Sequence, residues 1–504
     1  MKQDGDLKRI SSEAGNPLKF RNLVIGITFI AIFTMAVRVS VDTDTWWHLR
    51  AGEWILENNE ILREDPFSLT RLGDAWRYPG WIAQVIFFSI YNLFSVSGLN
   101  VFTAIIVLIA FIVLFQSLQG HVLLRAAVLI FAAVVSAVYW SARPHIFTFL
   151  FSAYFIFVLE EFRLGKRNIL WTLPIVMAVW ANVHGGFAIG FILLITYLIG
   201  EFVNDVLKLI KRDIGFNELW AEQRRTYAIY ILIGLLCAGA VFLNPHGPSM
   251  LLYPFKTISI GVLHEYIQEW QSPDFHQLEV QPFVWMLLAL LAAFTATKKR
   301  VHPVEFFLVA GFAFMGLMAA RNIAIFALVA APVLARHTDS AIQPYLAGSE
   351  SRKQVPAKTA KILNIALLLV ITIAAIFKIS IPLQDETNMD AIKEQVPINA
   401  TAFLKETNPE GNLFNSYNWG GYVIWDLYPE YFSFVDGRTD LFDDEILTEY
   451  ISAWRADPNW REILHDWNIQ LTLLEPGSPL NRVLEEEGWE AIYSDEFAVI
   501  RERP

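Results

Sequence analysis

A single cysteine, Cys237, occurs among the 504 residues, so a disulfide within the chain is excluded and a thiolate metal site has no ligand set. Charge is scarce as well. Asp, Glu, Lys and Arg make up 18% of the chain, where soluble domains carry about a quarter. Acid outweighs base to give a net charge of −11, and no basic stripe laced with aromatics occurs, which argues against nucleic acid as a partner. Internal repeats and low-complexity segments are not evident, and the inverted repeats common in transporters are missing with them.

What is abundant is apolar: 55% of the chain, with 14% aromatic. Spanning helices need about 20 mostly apolar residues, and runs near that length recur from residue 23 to 380, where the composition turns polar. Lys and Arg concentrate in short cytoplasmic loops. Placing the N-terminus and the clusters 163–167, 208–225, 298–300 and 336–361 on that side predicts spans near 23–39, 99–117, 123–140, 145–160, 169–183, 186–204, 227–243, 283–297, 304–320, 323–335 and 362–380. The expected fold is therefore an α-helical polytopic membrane protein of about 11 transmembrane helices with a C-terminal soluble α/β domain. Its parts are a cytoplasmic segment 1–22, a membrane domain 23–380 with a first external loop 40–98, and an external domain 385–504. The basic N-terminus lacks a small-residue cleavage site after the first span, so that span is expected to stay as an anchor in a bacterial cytoplasmic membrane. The apolar stretch 81–94 is too short, at ~1.5 Å per residue, to cross a ~30 Å core; it is expected to lie in the outer interface.

This topology puts the polar residues that stand at span ends without a basic cluster on the external side, among them Asp42, Asp44, His48, Arg143, His145, His184, Glu265, Glu269 and Arg321. In DTDTWWHLRAGEWILEN (42–58), wound as a helix, Arg50, Glu53 and Glu57 form one polar stripe, while Asp44 and His48 share the opposite side with Ala51 and Ile55. A carboxylate among apolar neighbours can serve as a general base or ligate a divalent cation; Asp42 and Asp44 also suit a helix N-cap. Trp46, Trp47, Trp54, Trp76 and Trp81 suit a headgroup-level belt. Arg143 in ARPHIF and Arg321 in RNI offer the bidentate fork that matches phosphate, or simply snorkel. Glu265 and Glu269 have one-turn helical spacing that fits a metal or supporting role, or a solvated loop helix.

The tail predicts strands at 412–415, 431–435 and 471–474, helices between them, and a final hairpin. DGRTD (436–440) follows the second of these strands, where open α/β sheets place ligands; Asp436, Arg438 and Asp440 bind something polar there or form an ion-paired turn.

This order of parts resembles the GT-C superfamily of polytopic glycosyltransferases: one span, an acidic motif opening the first external loop, two interfacial helices, further spans, and an external α/β domain. The closest pattern is that of the lipid A aminoarabinose transferases, with protein O-mannosyltransferases also similar; RYPGWIAQVIFF (77–88) then aligns Arg77 with a phosphate-contacting lysine. SYNWGGYVIW (416–425) is loosely similar to the Trp-Trp-Asp-Tyr-Gly motif of oligosaccharyltransferases, without its aspartate. The chain also looks like an uncharacterised bacterial membrane family with EWQSPDF, NWGGY and VDGR segments. The resemblance implies an inverting transfer from a polyprenyl-phosphate sugar donor to a glycan, lipid or protein acceptor within the lipid bilayer's outer face. Asp44 would be the base and Asp42 its helper, with Arg77, Arg143, His145, Arg321 and His48 lining the phosphate and substrate site. Oligosaccharyltransferases of the superfamily bind a divalent cation between the first-loop Asp and a later external acid, while other members need no metal; the resemblance thus makes Mg or Mn, held by Asp42, Asp44 and Glu265 or Glu269, a candidate here. The competing classes are a transporter or lipid flippase, which leaves the large acidic loop and tail without a role, and a non-catalytic membrane scaffold.

Overall fold

The computed structural model describes residues 20–40, 42–346 and 356–504. Lys2, Lys8, Arg9 and Lys19 of the N-terminal basic segment, and Arg352 and Lys353 of the last basic cluster, lie outside the described residues. Apolar helices occupy every predicted span. Among the described residues, seven are long and apolar enough to cross a membrane, and the shorter apolar helices are Phe20–Ala36, Leu170–Val183, Gln281–Ala296 and Pro303–Met318.

The stretch 81–94 is continuous in hydrogen bonding with the span after it, as Trp81–Ser117, 37 residues. Straight, it would run ~55 Å, far beyond a ~30 Å hydrocarbon core. Ser95 resolves the mismatch: at φ 53°, ψ −156° it leaves helical space and divides the run into an arm, 81–94, and the span proper. The arm packs against helix Thr45–Asn58. Gly52 permits the contact, since a Cβ there would stand 2.2 Å from the Gln84 carbonyl oxygen.

Helix Thr45–Asn58 buries Leu49, Ala51 and Ile55 and ends at Asn59 in the left-handed region, a common helix stop. Arg50 and Glu53, on its polar stripe, bond each other at 2.5 Å, and Arg50 also donates to the Tyr428 carbonyl of the tail at 2.7 Å. The expected headgroup belt is not formed by Trp46, Trp47 and Trp76, which are buried. Their rings build the joint between loop and tail: Trp46 packs edge-on to Tyr422, and Trp47 to Trp76.

At the far ends of the spans, Glu160 takes Arg163 at 2.9 Å and Arg336 at 2.7 Å, the Tyr197 hydroxyl donates to it at 2.8 Å, and Arg336 and His337 reach Glu305. This buried network ties four helices together. It stands ~22 Å along helix His145–Arg163 from His145, at 1.5 Å per residue.

In the tail, helices Asp385–Lys393 and Ile398–Thr407 precede a four-stranded sheet of order β1-β2-β4-β3, with β1 Asn412–Asn415, β2 Ile469–Leu474, β3 Glu490–Ser494 and β4 Val499–Glu502. β1 and β2 are parallel; β4 is antiparallel to both neighbours. The expected strand 431–435 is absent from the sheet. Its residues form one bridge, Ser433 to Ser68, so this segment pairs with the first external loop instead. Phe67 and Trp76 of the loop share one buried core with Phe414, Phe434 and Phe442 of the tail. Loop and tail are thus joined through this shared core, while the sheet keeps a second core of its own around Leu413, Leu471 and Ile500.

Candidate active site

Asp44 occupies the N-cap position of helix Thr45–Asn58 yet makes no side-chain cap bond. Asp42 does the local work: its Oδ1 accepts the Asp44 N–H at 3.1 Å, and its carbonyl accepts the Thr45 N–H at 2.9 Å. The Asp44 carboxylate is thereby free to turn to Arg143, whose Nη2 stands 2.6 Å from Asp44 Oδ2.

Arg143, in the turn before helix His145–Arg163, is the hub. Its Nη1 lies 3.4 Å from Asp42 Oδ2 and 3.4 Å from Glu269 Oε2. Ser141 Oγ donates to Asp42 Oδ2 at 2.9 Å. Glu269 comes from the turn Gln268–Trp270, and its other oxygen lies 3.5 Å from Arg321. The Arg321 guanidinium sits 4.1 Å over the Trp270 ring, and the Ala320 N–H donates to the Gln271 carbonyl at 3.0 Å, which locks these two turns together. Residues far apart in the chain thus form an alternating chain of acid and guanidinium.

These groups line a cavity of about 690 Å³ whose wall also includes His48, Tyr78, His145, His184, Tyr253, Tyr417, Gly437 and Asp440. Two carboxylates in it are driven apart. Burial pushes Asp44 up to about 7; Arg143 opposes this, while Asp42 and Glu269 add to it. Burial also disfavours ionised Glu269, but Arg143 and Arg321 together outweigh it and hold Glu269 down at about 2. Such divergence marks one group able to exchange a proton near neutral pH and one fixed negative charge. Burial keeps His48 neutral, and Arg143 reinforces that.

The structure brings together most of the predicted residues: Asp42, Asp44, His48, Arg143, His145, Glu269 and Arg321 all line the cavity. Arg77 and Glu265 do not. Arg77 is exposed, and the next residue, Tyr78, is the one that lines the wall. Glu265 is exposed because helix Gly261–Tyr266 stops short and Ile267 is extended, so Glu265 and Glu269 never share a helical turn. Among the described residues no group of three or more His, Cys, Asp or Glu is arranged to hold a metal ion. Asp42, Asp44 and Glu269 each meet the Arg143 guanidinium, and Glu265 stands outside the cavity wall they share.

DGRTD belongs to this same cavity rather than to a separate site at the end of a sheet strand. Asp440 faces the Tyr253 hydroxyl at 3.3 Å, and burial raises its carboxyl to about 6. Asp436 and Arg438 form the ion-paired turn: the Arg438 Nη2 stands 2.8 Å from Asp436 Oδ2, and its Nη1 pairs with Asp65 of the first loop, all three fully buried. Sequence reasoning missed Tyr78, Tyr253 and Gly437. Tyr78 and Gly437 sit inside segments that the motifs marked; nothing in the pattern around Tyr253 sets it apart.

An oligosaccharyltransferase from Archaeoglobus fulgidus, captured with a tethered acceptor peptide containing an NVT sequon, superposes with a TM-score of 0.53 and 13% identity over 91% of this chain and 69% of that one. This chain shares the fold of that oligosaccharyltransferase, as the resemblance implied. It also matches the apo form of ArnT from Cupriavidus metallidurans more weakly, with a TM-score of 0.43 and 13% identity over 94% of this chain and 95% of that one. No family model matches this chain, and no curated protein matches its sequence.

Proposed function

We propose that the chain is a membrane glycosyltransferase that moves a sugar from a polyprenyl-phosphate donor to an envelope glycan, lipid or protein acceptor at the outer face of the inner membrane. The observation that carries this reading is Asp44, a carboxyl poised near neutral pH and paired with Arg143 in the wall of a cavity large enough for a sugar. In the reaction, an acceptor hydroxyl oxygen bonds to the anomeric carbon and Asp44 takes its proton. The bond from that carbon to the phosphate oxygen breaks, and the electron pair leaves with the polyprenyl phosphate. A single displacement inverts the anomeric centre. Arg143 and Arg321 meet the growing phosphate charge, and preset guanidinium donors stabilise such charge without reorganising. Glu269, held ionised, keeps both arginines in place. His145 and His184 complete the polar wall, His184 Nδ1 accepting the Gly186 N–H at 3.0 Å.

The test is transfer from radiolabelled polyprenyl-phosphate sugars in vesicles, wild type against Asp44→Asn. Loss of transfer in the variant is expected. Full activity in the variant would remove Asp44 as base, and an inactive wild type across the common donors would move weight to transport or scaffolding.

A further inference from the structure

The tail glycines that the motifs NWGGY and VDGR carry have a specific neighbour. A Cβ on Gly437 would stand 1.7 Å from Asp44 Oδ1, 2.7 Å from its Cγ and 3.0 Å from the Trp47 indole nitrogen. Gly421 makes a similar approach, its Cβ position lying 2.7 Å from the Thr43 carbonyl oxygen. Gly437 has no positive φ, so the backbone tolerates a side chain there and space alone forbids one.

We infer that Gly437 is a positioning residue for Asp44, and that the tail turn 436–438 is a working wall of the catalytic centre which fixes where that carboxylate points. The turn has nowhere to retreat. Asp436 accepts the Ser433 hydroxyl at 3.0 Å and the Arg438 N–H at 3.0 Å. Arg438 is bonded to Asp436 and Asp65 and lies 4.9 Å over the Trp76 ring. On its other flank the carboxylate is already at a short 2.6 Å from Arg143, so it cannot slide that way. An added methyl group forces it to rotate, and the pairing with Arg143 is lost.

This inference rests on Asp44 being the base for its kinetic outcome, though not for its spectroscopic one. In Gly437→Ala, kcat should fall about 100-fold with donor KM little changed, the scale expected when a reacting group is displaced by ~1 Å. Gly477→Ala, where a Cβ meets nothing within 4 Å, is the matched tail control and should behave as wild type. In parallel, infrared difference titration against Asp44→Asn reads the Asp44 carboxyl directly. It should titrate at higher pH in Gly437→Ala, because the lost guanidinium had favoured the charged form. An unchanged titration together with unchanged kcat in a folded Gly437→Ala protein would overturn the inference. If Asp44→Asn keeps full activity, the reading of Asp44 as base fails, and the titration alone then decides the role of Gly437. Should Gly437→Ala not fold, Arg438→Lys leaves position 437 bare but loosens the turn. Its Asp44 carboxyl should then titrate lower as water reaches it, and an unmoved titration would count against the proposal.

Discussion

Replacing Arg143 with glutamine removes the only guanidinium in contact with Asp44 among the described residues and leaves Asp42 and Glu269 facing it. A unit charge at ~4 Å and an effective dielectric near 20 is worth about 4 kcal/mol. Opposite charges at such distances lower a carboxyl by about 1 to 3 pH units. For wild type, a base titrating at about 7 gives a kcat/KM that climbs tenfold per pH unit below 7 and levels off above it, since only the ionised form accepts the proton. In Arg143→Gln the acid limb should move upward by about 1 to 3 pH units, and activity at pH 7 should fall accordingly even if the plateau is partly retained. The pH profile of sugar transfer in vesicles measures this. A limb that stays at 7, or moves to lower pH, would show that Arg143 does not control Asp44 and would refute the electrostatic account of the site.

Glu269→Gln is the converse perturbation: removing a negative charge that raises Asp44 should shift the same limb to lower pH, and an upward movement would contradict it. Arg438→Met leaves Asp65 and Asp436 buried without their partner, a defect of about 3–5 kcal/mol. It should appear as earlier thermal opening and faster proteolysis at the loop–tail joint, and unaltered resistance would count against a shared core. Arg77→Ala should leave transfer within about twofold, as expected of a surface substitution, because Arg77 is exposed and away from the cavity; a tenfold loss would return it to the site.

The membrane architecture was legible because hydropathy and loop charge act locally along the chain: every predicted span is helical, and a backbone in lipid must satisfy its own hydrogen bonds. Helical periodicity likewise separated Asp44 and His48 from the Arg50, Glu53 and Glu57 stripe. The same local reasoning failed at residues 431–435, whose aromatic and β-branched residues suit a strand, because the segment finds its partner at Ser68, in a loop far away in the chain. It failed for Trp46, Trp47 and Trp76 for a related reason, since a tryptophan that suits an interface also suits a joint between domains. Glu265 and Glu269 were parted by a helix that stops at Tyr266.

The sequence by itself determined that the chain is helical, membrane-embedded and tailed by a small α/β domain, and it singled out Asp42, Asp44, Arg143, Glu269 and Arg321 as unusual polar residues near span ends. Only the tertiary structure decided which of them meet. Asp44 is raised because it is buried beside Asp42 and Glu269, with Arg143 only partly offsetting them, and those distances arise from the folding of separate loops onto one another. The tail's role was likewise hidden: a glycine in VDGR has no chemistry of its own, and its meaning lies in the carboxylate that packs against it.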